Sequence, residues 1–174
     1  AVICMAGAAS IGAAWSSCGT DYQEQGVLSR AARVAPTVLI AATSFLRRGK
    51  VVNLTETVRQ LVEKTPSIEH VILVDYLGRD KNYGSIKFRS GVSVADYLDL
   101  LRTPTQLDLS EKFSFSHPLY IMFSSGTTGA PKGLVHGAGG TLLEHMKELV
   151  LHGDLRSGDR LFYQTSTSWM MWNW

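Results

Sequence analysis

Cysteine is scarce in this sequence. The 174 residues contain Cys4 and Cys18, with no C-x-x-C motif and no metal-ligand spacing relative to the five histidines. This excludes a disulfide scaffold and a zinc ribbon, and no metal site is expected. Free thiols suit a reducing compartment, so the expected location is the cytosol. An excess of charge of either sign is missing too: 17 Lys and Arg face 15 Asp and Glu, a net charge of +2. So even a balance gives little long-range pull on a phosphate backbone or an anionic lipid. No nucleic-acid or membrane partner is therefore expected, and any nucleotide must be held by a local loop. No run reaches the ~20 strongly apolar residues of a spanning helix. No basic leader precedes the Ala- and Gly-rich stretch from Ala1 to Trp15, as a signal peptide would require. Its small residues, Ala6, Gly7, Ala8, Ala9 and Gly12, fit a helix packed closely inside a protein. An initiator Met is absent, and the last residues, Trp169-Met170-Met171-Trp172-Asn173-Trp174, form an aromatic run without a polar tail. Free termini are commonly polar, so the expectation is an internal fragment of a longer protein.

With 45% hydrophobic and 18% charged residues, the composition is that of a folded chain. The length fits one domain or part of a larger one. The hydrophobic pattern alternates between strands and helices. Gly26 to Ala35 reads as a helix stopped by Pro36, which can neither donate nor fit into a continuing turn. Val38–Ala42 follows as a buried strand. Asn53 reads as a helix cap with Glu56 in the capping-box position, and Leu54, Val58, Leu61 and Val62 form the apolar stripe up to Pro66. His70–Val74 is the next strand. Ser93 with Asp96 predicts another helix start, with Val94, Leu98 and Leu101 along one side and an end at Thr103-Pro104. Leu119–Phe123 is a third strand, followed by the glycine-rich segment 124–133. Thr141 with Glu144 predicts the start of a helix carrying Leu142, Met146, Leu149 and Val150, with Gly153 as its stop. Arg160–Tyr163 reads as a last strand, and segments 76–92 and 103–117 as polar connections. Apolar strands alternating with amphipathic helices predict an α/β fold: a parallel sheet with helices on both faces.

The segment Ser124-Ser125-Gly126-Thr127-Thr128-Gly129-Ala130-Pro131-Lys132-Gly133 carries the chemistry. Glycines let a backbone turn sharply and bring its N–H groups up to an anion. Ser124, Ser125, Thr127 and Thr128 add hydroxyl donors, and Lys132 adds a mobile positive charge. If the loop leaves a strand of a parallel sheet, the site lies at the carboxyl end of that sheet, where such folds bind ligands. Two other phosphate loops are excluded. Counted from Gly126, Pro131 occupies the second glycine position of G-x4-G-K-S/T, and Gly133 stands where the magnesium-holding hydroxyl belongs. The dinucleotide pattern G-x-G-x-x-G is missing as well.

The stretch YIMFSSGTTGAPKG resembles the signature phosphate loop of the adenylate-forming enzymes, which include acyl-CoA synthetases, luciferases and peptide-synthetase adenylation domains. Its flanks, FSHPLYIMFSSGTTGAPKGLVHGAGGTLLEHMKELVLHGDL and WMMWNW, resemble the acetoacetyl-CoA synthetases within that superfamily, as do AASIGAAWSS and GVLSRAARVAPTVLI. The resemblance implies that residues 1–174 are part of a large N-terminal AMP-binding domain, without the small C-terminal domain. It implies a ligase, with ATP, magnesium and coenzyme A as its companions, that adenylates acetoacetate and passes the acyl group to the CoA thiol. By the same resemblance Ser124, Ser125, Gly126, Thr127, Thr128, Gly129 and Lys132 match the ATP-binding motif. Trp169 and Asn173 match the wall of the acyl pocket. No catalytic residue is assigned, His136 just past the loop being the one candidate. His145 and His152 read as solvated or packing residues. Two positions depart from the family pattern: Ser168 and Gln23 stand where relatives have glycine. A synthetase for acetate or propionate, or a non-catalytic nucleotide-binding remnant, are the competing expectations.

Overall fold

The computed structural model describes residues 1–78, 86–103, 105–106, 111–124, 129, 131–167 and 169–173. They fall into two compact units, Thr20–Gln106 and Ala1–Gly19 with Leu107–Trp174.

The first unit is an α/β layer. Helix α2 (Glu24–Val34) leads to strand β1 (Val38–Ala42), hairpin strands β2 (Ser44–Arg47) and β3 (Lys50–Asn53), helix α3 (Thr55–Lys64), strand β4 (His70–Val74), strand β5 (Ser93–Asp96) and helix α4 (Tyr97–Arg102). Here α2 is numbered after α1 (Val2–Ser10) of the other unit. The sheet order is β1-β4-β5, all parallel, with Ile40 opposite Ile72 and Ile72 opposite Ala95. β4 alternates in burial along its length, and Val71 and Leu73 lie in one cluster with Val58, Leu61 and Val62 of α3, Ala31 of α2 and Ile68. The predicted stripe of α3 is therefore the core, and the predicted bounds of β1 and β4 agree with the structure. Ala35, left-handed at φ 46°, ends α2 just before Pro36. Arg89 closes the other side of this core. Its guanidinium donates to the carbonyls of Val62 at 2.6 Å, near the end of α3, and of Pro66 at 2.8 Å and Ile68, just beyond it.

Three sequence expectations change in this unit. No capping box forms. The Asn53 carboxamide oxygen accepts from the Thr55 N–H (2.8 Å) and hydroxyl (2.6 Å), whereas the Glu56 carboxylate turns forward to Arg59 and Gln60. Those charge-assisted bonds, Arg59 first and Gln60 next, hold the Glu56 carboxyl down at about 2. The helix expected from Ser93 starts at Tyr97 instead. Ser93–Asp96 pairs with β4, the Ser93 hydroxyl bonds His70 Nδ1 at 2.6 Å, and Asp96 alone caps α4 through the N–H groups of Leu98 and Asp99. The β2–β3 hairpin was not expected. Its two-residue turn is Arg48-Gly49, both at positive φ (49° and 75°), as the tight primed turns require.

In the second unit, strand β6 (Pro118–Ser124) pairs antiparallel with β7 (Lys132–Gly137). Among the described residues β6 and β7 make a two-stranded sheet of their own. The parallel neighbour of β6 among them is the single bridge at Trp15, whose N–H donates to Leu119 and whose carbonyl accepts from Ile121, both at 2.8 Å. The N-terminal helix α1 forms, but no residue on it is buried, so its expected close packing is not observed within this chain. After it, Gly12 turns at φ 71° beneath the Phe113 ring, and a Cβ there would lie 2.3 Å from that ring. His117 Nε2 meets the Gly12 carbonyl at 2.7 Å. Helix α5 (Ala138–Met146) is capped at Gly137, four residues before the expected cap Thr141. Thr141 lies buried within it, its hydroxyl without a partner among the described residues. A π-helical turn, Lys147–His152, continues to Gly153, where a Cβ would sit 3.0 Å from the Leu149 carbonyl. Arg160–Tyr163 is no strand. Leu161, Phe162 and Tyr163 are exposed and have no ladder partner among the described residues. A short helix, α6 (Met170–Asn173), packs against β6.

Candidate functional site

The β6–β7 ribbon presents the two ends of the glycine-rich loop side by side. Its last pair is Ser124 opposite Lys132, preceded by Phe123 opposite Gly133 and Met122 opposite Leu134. Side chains alternate across a ribbon, so Ser124 and Lys132 share a face with Tyr120, Met122, Leu134 and His136. Buried Tyr120 and Met122 hold that face against the rest of the unit, and burial pushes the Tyr120 phenol up. Lys132 is exposed and engages no hydrogen bond or ion pair among the described residues. Gly129 stands at φ +98°, a backbone that favours glycine, and a Cβ there would meet nothing within 4 Å. Four residues of the expected ATP motif, Ser125, Gly126, Thr127 and Thr128, lie outside the described residues.

His136 sits elsewhere on the ribbon. It pairs with Tyr120, four positions along β7 from Lys132, or about 13 Å of extended chain. Its Nδ1 lies 3.3 Å from the Leu134 carbonyl. It lines an open depression of about 340 Å³ together with Gly140, Thr141, Glu144 and His145 of α5. The Thr141 hydroxyl and His145 Nε2 there are buried without partners among the described residues. Thr141, Glu144 and His145 share a helix face by their i, i+3, i+4 spacing, the one signal of this grouping in the sequence.

Across the whole sequence, a family model described as "AMP-binding enzyme" matches residues 1–173. The chain belongs to the AMP-binding enzyme family. Two relatives within it are the acetoacetyl-CoA synthetase of Gallus gallus, 41% identical over 100% of this chain and 26% of its own length, and the acetoacetyl-coenzyme A synthetase of Rhizobium meliloti (strain 1021), 43% identical over 98% of this chain and 25% of its own. The solved structure of acetoacetyl-CoA synthetase from Streptomyces lividans superposes with a TM-score of 0.85 at 37% identity, covering 99% of this chain and 25% of that one. The chain thus spans about a quarter of the length of these AMP-binding enzymes.

The two residues expected at the acyl pocket part company on α6. Trp169, just before the helix, is 66% exposed, whereas Asn173 is 7% exposed. The Asn173 amide reaches the Trp169 carbonyl at 3.5 Å, and its Oδ1 is buried without a partner among the described residues. Ser168 and Trp174 lie outside the described residues. No three His, Cys, Asp or Glu side chains gather to hold a metal among the described residues, and no helix there is long and apolar enough to cross a membrane.

Proposed function

We propose that the full-length protein carrying this chain is an AMP-forming acetoacetate–CoA ligase. The 174 residues supply part of its large N-terminal domain, and the small C-terminal domain comes from elsewhere in the longer protein. The observation that supports this reading best is the likeness to acetoacetyl-CoA synthetases along the whole chain, at 41–43% identity. In the reaction a carboxylate oxygen of acetoacetate attacks the α-phosphorus of ATP. The bond to the β-phosphate breaks and pyrophosphate leaves. The CoA thiol then attacks the acyl carbon, releasing AMP and giving up its proton.

The chain's own share is to bind the leaving phosphates. Lys132 offers a positive charge beside the Ser124 hydroxyl, and the open backbone at Gly129 leaves room for close approach. Ser125, Gly126, Thr127 and Thr128 complete the donor set on this reading. Donors fixed in place before pyrophosphate departs stabilise the charge that builds on it. Magnesium is the companion expected of ATP, and the roles of Ser124 and Lys132 do not depend on it. Asn173 and Trp169 are assigned to the acyl side of the site, and His136 remains a candidate for a polar contact. Acetoacetate, ATP and CoA are the partners, and the cytosol is the compartment that Cys4 and Cys18, neither of them in a disulfide, suit.

The test is carboxylate-dependent pyrophosphate exchange and thioester formation by the full-length protein with acetoacetate, acetate and propionate. Acetoacetate is expected to be used best. A preference for acetate would move the protein to another short-chain synthetase, and no exchange with any acid would make it a nucleotide-binding remnant.

A further inference from the structure

A two-stranded ribbon holds its register weakly where one side chain is missing, and Gly133 is such a place. It lies directly opposite Phe123, one pair before the loop. The ring closes over the gap. A Cβ built on Gly133 would sit 3.4 Å from Phe123 Cε1, 3.7 Å from its Cζ and 3.7 Å from Ile121 Cγ2. An aromatic ring laid across a cross-strand glycine restores the packing that the glycine lacks. We propose that Phe123 is a positioning residue for the phosphate loop, acting through this pair with Gly133.

Register is what the pair controls. The side-chain period of a strand is two, so a slip of one residue would turn Lys132 to the opposite face of the ribbon, away from Ser124. Phe123 itself points to that opposite face, alternating with Ser124, so it does not touch a ligand held between Ser124 and Lys132. Its influence on the site passes through the backbone pairing. The proposal rests on the reading of the loop as the ATP site.

The experiment measures kcat/KM for ATP in carboxylate-dependent pyrophosphate exchange by the full-length protein. Phe123→Ala, Phe123→Tyr, Lys132→Ala and the double variant Phe123→Ala/Lys132→Ala are compared, with a thermal melt of each. Coupled neighbours give non-additive effects, so Phe123→Ala is expected to lose about tenfold alone but no more than about twofold in the Lys132→Ala background. Phe123→Tyr keeps the ring and is expected to stay within about twofold of the unaltered protein. Should Phe123→Ala fail to fold, Phe123→Leu is carried through the same two backgrounds with the same expectations. Equal losses in both backgrounds, or no loss in either, would overturn the positioning role while leaving the ATP loop intact. An unaffected Lys132→Ala variant would overturn the ATP reading of the loop, and this proposal with it.

Discussion

Lys132 has no ion-pair partner among the described residues, and that governs what its loss should do. Removing a preorganised donor to charge developing in the transition state costs ~2.7–4 kcal/mol, or ~10²–10³ in rate. Thr128→Ala in the full-length protein is expected to fall in that range in pyrophosphate exchange, and Lys132→Ala at its lower end because the ammonium is mobile. Unchanged exchange in both would remove the loop from the phosphate site. Arg89 poses a stability question instead. Its guanidinium serves three carbonyls near and just beyond the end of α3. Arg89→Ala leaves them short of donors and is expected to cost about 1–3 kcal/mol, read as a lowered denaturation midpoint. An unshifted midpoint would mean that water replaces the guanidinium without loss. The loop could be read from the sequence because residue types alone define its chemistry. Arg89 could not, because nothing in the polar segment around it says which carbonyls it reaches.

Among the elements, what the sequence disclosed depends on how much of the stabilisation is local. β1 and β4 are continuous apolar runs, and their bounds were legible. Ser93-Val94-Ala95-Asp96 mimics a capping box, and only pairing with β4, a distant segment, makes it a strand. Similarly, nothing in Lys132–Gly137 declares that it folds back on β6 rather than starting a helix, so the loop was assigned to a parallel sheet when it joins two antiparallel strands. The β2–β3 turn was hidden because Arg48-Gly49 is not one of the usual Asn-Gly or Asp-Gly pairs. Arg48 occupies left-handed space at φ 49°, which costs an ordinary residue about 1–2 kcal/mol. Arg48→Asn is therefore expected to raise stability by up to about 1 kcal/mol, and Gly49→Ala to lower it by about 1–2 kcal/mol. Denaturant titration of the two variants checks both signs, and a destabilised Arg48→Asn would contradict the turn type.

At the scale of the whole molecule, the apolar surface sets the expectation. Leu142, Leu143, Met146, Val150, Leu151 and Phe162 are all exposed on the second unit, and apolar side chains exposed in such number favour association. Residues 1–174 expressed alone are expected to self-associate and to make no acetoacetyl-CoA from acetoacetate, ATP, magnesium and CoA. Size-exclusion chromatography and a thioester assay check this. A monodisperse monomer with turnover above background would show that the surface is complete and the catalytic groups all present. The family was legible from a short motif with strict residue demands. The division into two units was not, because it depends on which distant segments pair.

The place of β4 between β1 and β5 has a kinetic consequence. Its successive amides face β1 and β5 in turn, so releasing the strand to solvent deuterium requires two ladders to part together, whereas an outer strand can fray from one. In hydrogen–deuterium exchange, Val71, Ile72 and Leu73 should thus retain their protons longest within residues 20–106. Because Val71 and Leu73 also pack with α3, exchange along this strand would report the free energy of opening that whole unit, making three backbone amides a gauge of its cooperativity.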